Sequence, residues 1–236
     1  MSFTTTKSAF WAGFRGAVPF IVVAGPFAFL FGVLATEAGL NVFETLAFSV
    51  VVIAGAAQFT ALTLMEENAP TLIILASALA VNLRMAMYSA SITPHLGALP
   101  LRWRVLGAYF LVDQAYALSI VKFEDHPDMP VRIKFAYFLG TVAPVCPLWY
   151  AFSVLGAVVG GAIPASWSIE FVMPLAFIAM IGPMLRSPAH IVAALTSIIV
   201  ALLAAGIPYN LGLLVAGICG MAAGAQTELW LARRLS

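Results

Sequence analysis

The sequence predicts an all-α polytopic membrane protein of about eight transmembrane helices, with both termini cytoplasmic. Three observations predict it. Apolar residues make up 63% of the 236-residue chain and charged residues only 9%, with a mean hydropathy of +1.04. A soluble domain carries about 25% charged and 45–50% apolar residues, so this chain cannot clothe its surface for water. Apolar stretches near the ~20 residues that cross a hydrocarbon core recur along its length. Lysine and arginine gather in alternate connectors.

The first span reads 14–36. The preceding "MSFTTTKSAFWAGFRGAVPF" has two basic residues and no small-residue cleavage site, so the run is retained and is not a signal peptide. Pro19, Gly25 and Pro26 fall around its midpoint. Proline lacks the amide proton and clashes with the previous turn, so a break or kink is expected at Gly25–Pro26. The second span, 44–64, carries "AGAAQF", where Gly55 allows close backbone approach and Gln58 offers an amide. The third runs 71–92, the fourth 104–122, the fifth 135–158 and the sixth 166–185, the last with Pro174 and Pro183. Spans seven (189–206) and eight (209–231) are separated only by "GIPYN", and merging them would leave seven spans. Gly217, Gly220 and Gly224 read as a close-packing surface.

With eight spans, Lys7, Arg15, Lys122, Arg132, Lys134, Arg186, Arg233 and Arg234 fall inside, and Arg102 and Arg104 outside. That asymmetry sets an N-in, C-in orientation. The chain reads as one membrane domain, 1–236, with candidate repeat halves 1–122 and 133–236. Gly16 and Pro19 of span one echo Gly140 and Pro144 of span five, and Glu44 and Glu170 open the spans that follow. Chance explains the echo equally well in a chain with 18 glycines and 14 prolines. A four-span offset would make such a repeat parallel, and a re-entrant half-helix would invert it.

The net charge of +1, with no basic run, argues against a nucleic-acid partner. Cys146 and Cys219 lie in apolar segments and read as core filling. No CxxC or His/Cys cluster suggests a metal, and nothing calls for a cofactor. His95, His126 and His190 lie in or beside connectors, and no GxSxG or HExxH appears, so an enzyme is not expected.

Polar residues inside the spans carry the information. An arginine at a helix centre costs roughly 2.5–3.5 kcal/mol on insertion scales, yet Arg84 sits at the middle of span three. Ser77, Arg84, Tyr88, Ser91 and His95 share one helix face, and Asn82, Ser89 and Thr93 the opposite one. A helix polar on two faces is expected to be surrounded by protein. Asp113, at the centre of span four between Tyr109 and Tyr116, is the natural partner, because consecutive antiparallel spans bring both charges to one depth. The pair reads either as structural or as functional, with Asp113 changing protonation during a cycle.

"FLFGVLATEAGL", "AGAAQFTAL" and "VNLRMAMYSASITPHL", followed by "DQAYAL", together resemble the AzlC family, the larger subunit of two-component branched-chain amino acid exporters. The match is strong over the first half and extends to the second in hydropathy and length. The resemblance implies export of leucine-, isoleucine- or valine-like amino acids by ion-coupled secondary transport. It further implies a small AzlD-like membrane subunit and a place in the bacterial cytoplasmic membrane. Two departures stand out: Met85 follows "NLR" where the family pattern has histidine, and Gln114 follows Asp113 where it has an acidic residue.

A zwitterionic substrate needs its carboxylate and ammonium satisfied in a dry site. Arg84 or freed N–H groups near Gly25 and Pro26 would take the carboxylate; Asp113, Gln58 or free carbonyls would take the ammonium. A site near the midplane among spans one to four is therefore expected, completed by Gly55, Tyr88 and Asn82, with Asp113 as the proton-coupling group. The competing reading is a channel or scaffold subunit whose intramembrane polar residues serve packing only.

Overall fold

The computed structural model describes residues 5–160, 185, 187–207 and 211–235. Among them the chain is helical, with no strand: α1 (Thr6–Ala17), α2 (Ile21–Glu37), α3 (Val42–Val51), α4 (Gly55–Glu66), α5 (Thr71–Leu96), α6 (Leu101–Tyr109), α7 (Asp113–Asp125), α8 (Val131–Val142), α9 (Cys146–Gly160), α10 (Pro188–Leu203) and α11 (Leu211–Leu235). Among the described residues three stretches are long and apolar enough to cross a membrane: Thr6–Glu37, Thr71–Leu96 and Val131–Gly160. The sixth span expected from the sequence lies outside the described residues. Two compact units are formed, one by residues 1–62 and 81–164, the other by 63–80 and 165–236.

The first unit is built on two long interrupted helices lying side by side. One is α1–α2, joined by a single 3-10 turn at Val18–Phe20; the other is α8–α9, joined by a turn at Ala143–Val145. They run parallel. A Cβ added at Gly13 would strike the Tyr137 carbonyl, and one at Gly140 the Phe10 carbonyl. Farther along, a Cβ at Gly32 would strike the Ser153 carbonyl, and one at Gly156 the Phe29 carbonyl. In lipid, tails are as apolar as leucine, so helices associate through such close backbone packing. Pro19 falls in the 3-10 turn, whereas α2 runs unbroken through Pro26. The interruption expected at Gly25–Pro26 is therefore displaced toward the N-terminus. Gly25 is buried beside Leu148 and Phe152 of α9.

Spans two and four do not run straight through. Each folds back as a helical hairpin. After the turn at Gly39 (φ +89°), α3 starts at a capping box in which Asn41 Oδ1 accepts from the Glu44 amide (3.0 Å) and Glu44 Oε2 from the Asn41 amide (2.8 Å). It descends antiparallel to α2, with Phe48 against Phe31. The chain reverses at Val52–Ala54, and α4 climbs back parallel to α2: Gly55 lies at Phe27, and Phe59 packs tilted against Phe27 (4.6 Å) and edge-on to Phe31 (6.0 Å). A straight continuation would have carried Phe59 about six residues beyond Phe27, roughly 9 Å away.

The second hairpin is α6–α7, reversing at Phe110–Val112. Here α7 runs parallel to α5, since Asp113 meets Arg84, Tyr116 stacks on Tyr88 and Phe123 lies against His95. The antiparallel full crossing expected for span four is thus corrected. Both tips are tied by the same short bond one residue before the new helix, Ala54 N–H to Val52 O and Val112 N–H to Phe110 O, each 2.9 Å. Phe123 and Lys134 bring the end of α7 to the start of α8, so α5 opposes α8–α9 and α1–α2. The pair α5 and α6–α7 therefore repeats, upside-down, the pair α1–α2 and α3–α4.

Among the described residues α5 is little covered, contrary to the surrounded helix expected: only 6% of its most apolar stretch is buried, and Leu79, Leu83 and Met87 are exposed. In the second unit α10, opened by a Ser187 cap on the His190 amide (3.2 Å), packs antiparallel on α11. Gly220 and Gly224 meet Ala193 in the close contact the sequence suggested, while nothing approaches Gly217.

Two predictions follow from this architecture. In a chain freed of Cys146 and Cys219, single cysteines at Ala98 and at Asp128 should react with an impermeant maleimide from the same membrane face as one at Ser8. Labelling of Ala98 and Asp128 from opposite faces would mean that α6–α7 crosses the bilayer. Gly156→Leu should lower thermal stability in detergent by about 1–3 kcal/mol, the usual cost of overpacking, whereas Gly217→Leu should leave it unchanged.

Candidate functional site

The two hairpins approach from opposite ends of the first unit, and their tips meet beside the middle of α8–α9. The Tyr109 hydroxyl donates to the Val50 carbonyl (2.6 Å) and lies 2.9 Å from the Tyr150 hydroxyl. Val50 belongs to the last turn of α3, whose carbonyls have no partner within their own helix. One tyrosine from the end of α6 thus satisfies the backbone at the end of α3. Ile53 at the first tip packs into the same apolar cluster as Leu111, Val112 and Cys146 at the second.

At the second tip Asp113 is the first residue of α7, where a carboxylate complements the positive end of the helix dipole. Arg84 Nη2 lies 3.0 Å from Asp113 Oδ2, the two side chains remaining 33% and 46% exposed. The predicted pair therefore forms, although by a parallel rather than an antiparallel approach. Arg84 Nε and Asp113 Oδ1 are buried and make no hydrogen bond. Each partner so keeps one unused atom, a donor on the arginine and an acceptor on the aspartate. Tyr88 closes the group: its ring stacks on Tyr116 (4.2 Å between centroids, 10° between planes), and the Tyr116 hydroxyl donates to Ser91 Oγ (2.9 Å). Asn82, on the same helix, has a buried Oδ1 without a hydrogen bond.

Gln58 belongs to a different group, at the first tip. It is fully buried. A directed relay runs from Gln58 Nε2 to Ser49 Oγ (3.5 Å), from Ser49 to Ser153 Oγ (3.0 Å), and from Ser153 to the Trp149 carbonyl (2.8 Å). That relay leaves Gln58 Oε1 as its free acceptor end, and the Trp149 indole Nε1 as a buried donor without a hydrogen bond. Gly55 is required here, since a Cβ would lie 2.7 Å from the Trp149 ring and 3.0 Å from Phe27. Gly25 lies one layer away on α2, and Pro26 faces outward.

The single cluster expected from the sequence is thus divided between two hairpin tips. Ser49, Trp149, Tyr150 and Ser153 were not anticipated, because nothing in an apolar run shows which serine or tryptophan faces a neighbour. The tips themselves left signals. "VVVI" at 50–53 is β-branched throughout and favours extended backbone. Asp113 after Val112 is as much a helix start as a mid-helix charge.

Comparison with known proteins covers much of this first unit. The family model described as "AzlC protein" matches residues 19–163. An uncharacterized membrane protein of Archaeoglobus fulgidus is 29% identical over 159 residues, 67% of this chain and 66% of that protein. The alignment thus spans just under two thirds of the archaeal protein's length. The inner membrane protein YgaZ of Escherichia coli is 23% identical over 181 residues, 74% of this chain and 73% of its own. No solved structure matches.

A double-mutant cycle of Arg84→Gln and Asp113→Asn, read by thermal unfolding in detergent, should give a coupling of about 1 kcal/mol, the upper end for a pair left partly open. Strictly additive effects would mean that the pair holds nothing together.

Proposed function

The chain belongs to the AzlC family, and on that premise we propose that it is the large subunit of a secondary transporter exporting branched-chain or similar small apolar amino acids. The observation that carries this reading is the meeting of two opposed hairpins beside a half-buried Arg–Asp pair. Inverted repeats with broken helices at mid-depth are a recurrent transporter plan, with half-helix N-termini and irregular backbone forming the site.

The zwitterion fits the unused atoms. Its carboxylate goes to Arg84 Nε or to the first-turn amides of α4, and its ammonium to Asp113 Oδ1 or Gln58 Oε1. The apolar side chain needs only an apolar wall, which the residues of the spans supply in plenty. Asp113 is the coupling group: a proton on it would release Arg84 from the pair and change what the arginine offers the substrate.

The hairpins also sharpen the orientation. With α6–α7 re-entrant, Arg102 and Arg104 join Lys7, Arg15, Lys122, Arg132 and Lys134 at the end where α1 and α8 begin. Glu37 and Glu44 lie at the other end. The two exceptions to the basic-residue rule disappear, which supports a cytoplasmic N-terminus in a bacterial inner membrane. About eight membrane segments remain in this reading, two of them re-entrant. A small AzlD-like subunit would seat on α5, the long helix that is little covered among the described residues.

Liposomes holding the chain and a candidate small subunit should show saturable counterflow of labelled leucine. Arg84→Ala should lower it roughly ten- to hundred-fold, as for one lost charge-assisted hydrogen bond of about 1.5–3 kcal/mol. Asp113→Asn should keep counterflow but lose accumulation driven by a pH gradient. No counterflow under any partner condition would favour a scaffold, and unaltered affinity in Arg84→Ala would place the substrate elsewhere.

A further inference from the structure

A re-entrant hairpin leaves space beside it that a full-length helix would fill. Such a space lies between α6, the second half of α5 and α8, as a cavity of about 350 Å³. Its walls are mostly apolar, with Ile92, Leu96, Gly107, Leu111, Phe135 and Phe138 among them. Thr93 returns its hydroxyl to the Ser89 carbonyl of its own helix, so it offers little to a polar guest. The inner end of the cavity lies at the α6–α7 tip and its outer end at the first turn of α6.

That first turn is "LRWR". Arg104 lines the cavity, Trp103 lines it and packs edge-on to Phe135 (5.6 Å), and Arg102 lies over the Trp103 ring (5.5 Å). Neither arginine has a carboxylate within salt-bridge distance among the described residues. Both are exposed. The Arg104 guanidinium and Trp103 at the mouth of an apolar slot, with Arg102 against the Trp103 ring beside them, present charge at the headgroup level and hydrocarbon below it.

We propose that this cavity is a binding site for an anionic phospholipid of the leaflet on the α6 side, with the phosphate on Arg102 and Arg104 and an acyl chain along α6. The occupant is a lipid rather than a free phosphate because the larger part of the site is apolar and continuous with the charged mouth. The chain fills the volume beside the hairpin and so supports the α6 side of the tip contact. The site is separate from Arg84–Asp113 and does not depend on what is transported.

The test uses the full chain in detergent, with thermal unfolding followed during titration of phosphatidylglycerol, phosphatidylcholine of the same chains, or glycerol 3-phosphate. Phosphatidylglycerol should stabilise at roughly tenfold lower concentration than phosphatidylcholine, as expected for two surface arginines. The preference should vanish in R102Q/R104Q, and Ala108→Phe, which intrudes on the cavity, should weaken the effect of both lipids. In vesicles, brominated-chain phosphatidylglycerol should quench tryptophan fluorescence more than the brominated phosphatidylcholine, and the excess should be lost in Trp103→Phe. This second readout stands even where the arginine variant fails to fold. Equal potency of the two lipids in the native chain, or a preference undiminished in R102Q/R104Q, would overturn the proposal. A full shift from glycerol 3-phosphate alone would replace the lipid by a phosphate ligand and overturn it too.

Discussion

The backbone-to-backbone contact of α1–α2 with α8–α9 is the interaction on which everything else hangs. Water-driven burial cannot hold helices together inside a bilayer, so contact area and close approach must do it. Gly32 and Gly156 meet the opposite carbonyls reciprocally, and Gly13 and Gly140 do the same one interruption earlier. That pairing fixes the register of two helices over their whole length. Ser153 on one of them then reaches Ser49 of α3, and Phe27 on the other receives Gly55 and Phe59 of α4. The first hairpin is therefore seated by the same pair of helices that define the scaffold.

The second constraint is backbone satisfaction at the tips. A chain that reverses at mid-depth exposes carbonyls and amides that hydrocarbon cannot accept, and such breaks persist only when protein or a cavity meets them. The two tips solve this jointly: Tyr109 of one hairpin serves the Val50 carbonyl of the other, and Asp113 sits at the start of α7 with Arg84 as counter-ion. Charge is concentrated where the backbone is already irregular. The same irregularity supplies the buried unpaired atoms that give the proposed substrate site its chemistry.

Much of this was legible. Arg84 and Asp113 were recognisable as partners because each costs too much in lipid to stand alone, and that argument needs no fold. Gly220 and Gly224 pack closely as expected, whereas Gly217, read together with them, does not among the described residues. The direction of α7 was not legible, because hydropathy is the same for a helix that crosses and for two half-helices that turn back. Pro26 misled for a related reason. Proline removes one hydrogen bond wherever it stands, but whether the helix yields depends on its tertiary surroundings, and here Gly25 is buried beside α9.

By itself, the sequence determined the environment and the helical class, since 63% apolar residues gathered in continuous runs near ~20 long match spanning helices and not the alternating strands of a barrel. It also determined that an arginine and an aspartate must find each other. Only the tertiary structure decided where the chain reverses, that Gln58 stands at one tip and Asp113 at the other, and that Arg102 and Arg104 share an end with Lys7. Those are matters of which helix lies beside which. They are set by glycine-sized gaps and single hydroxyls on distant segments, whose mutual approach a local pattern does not encode.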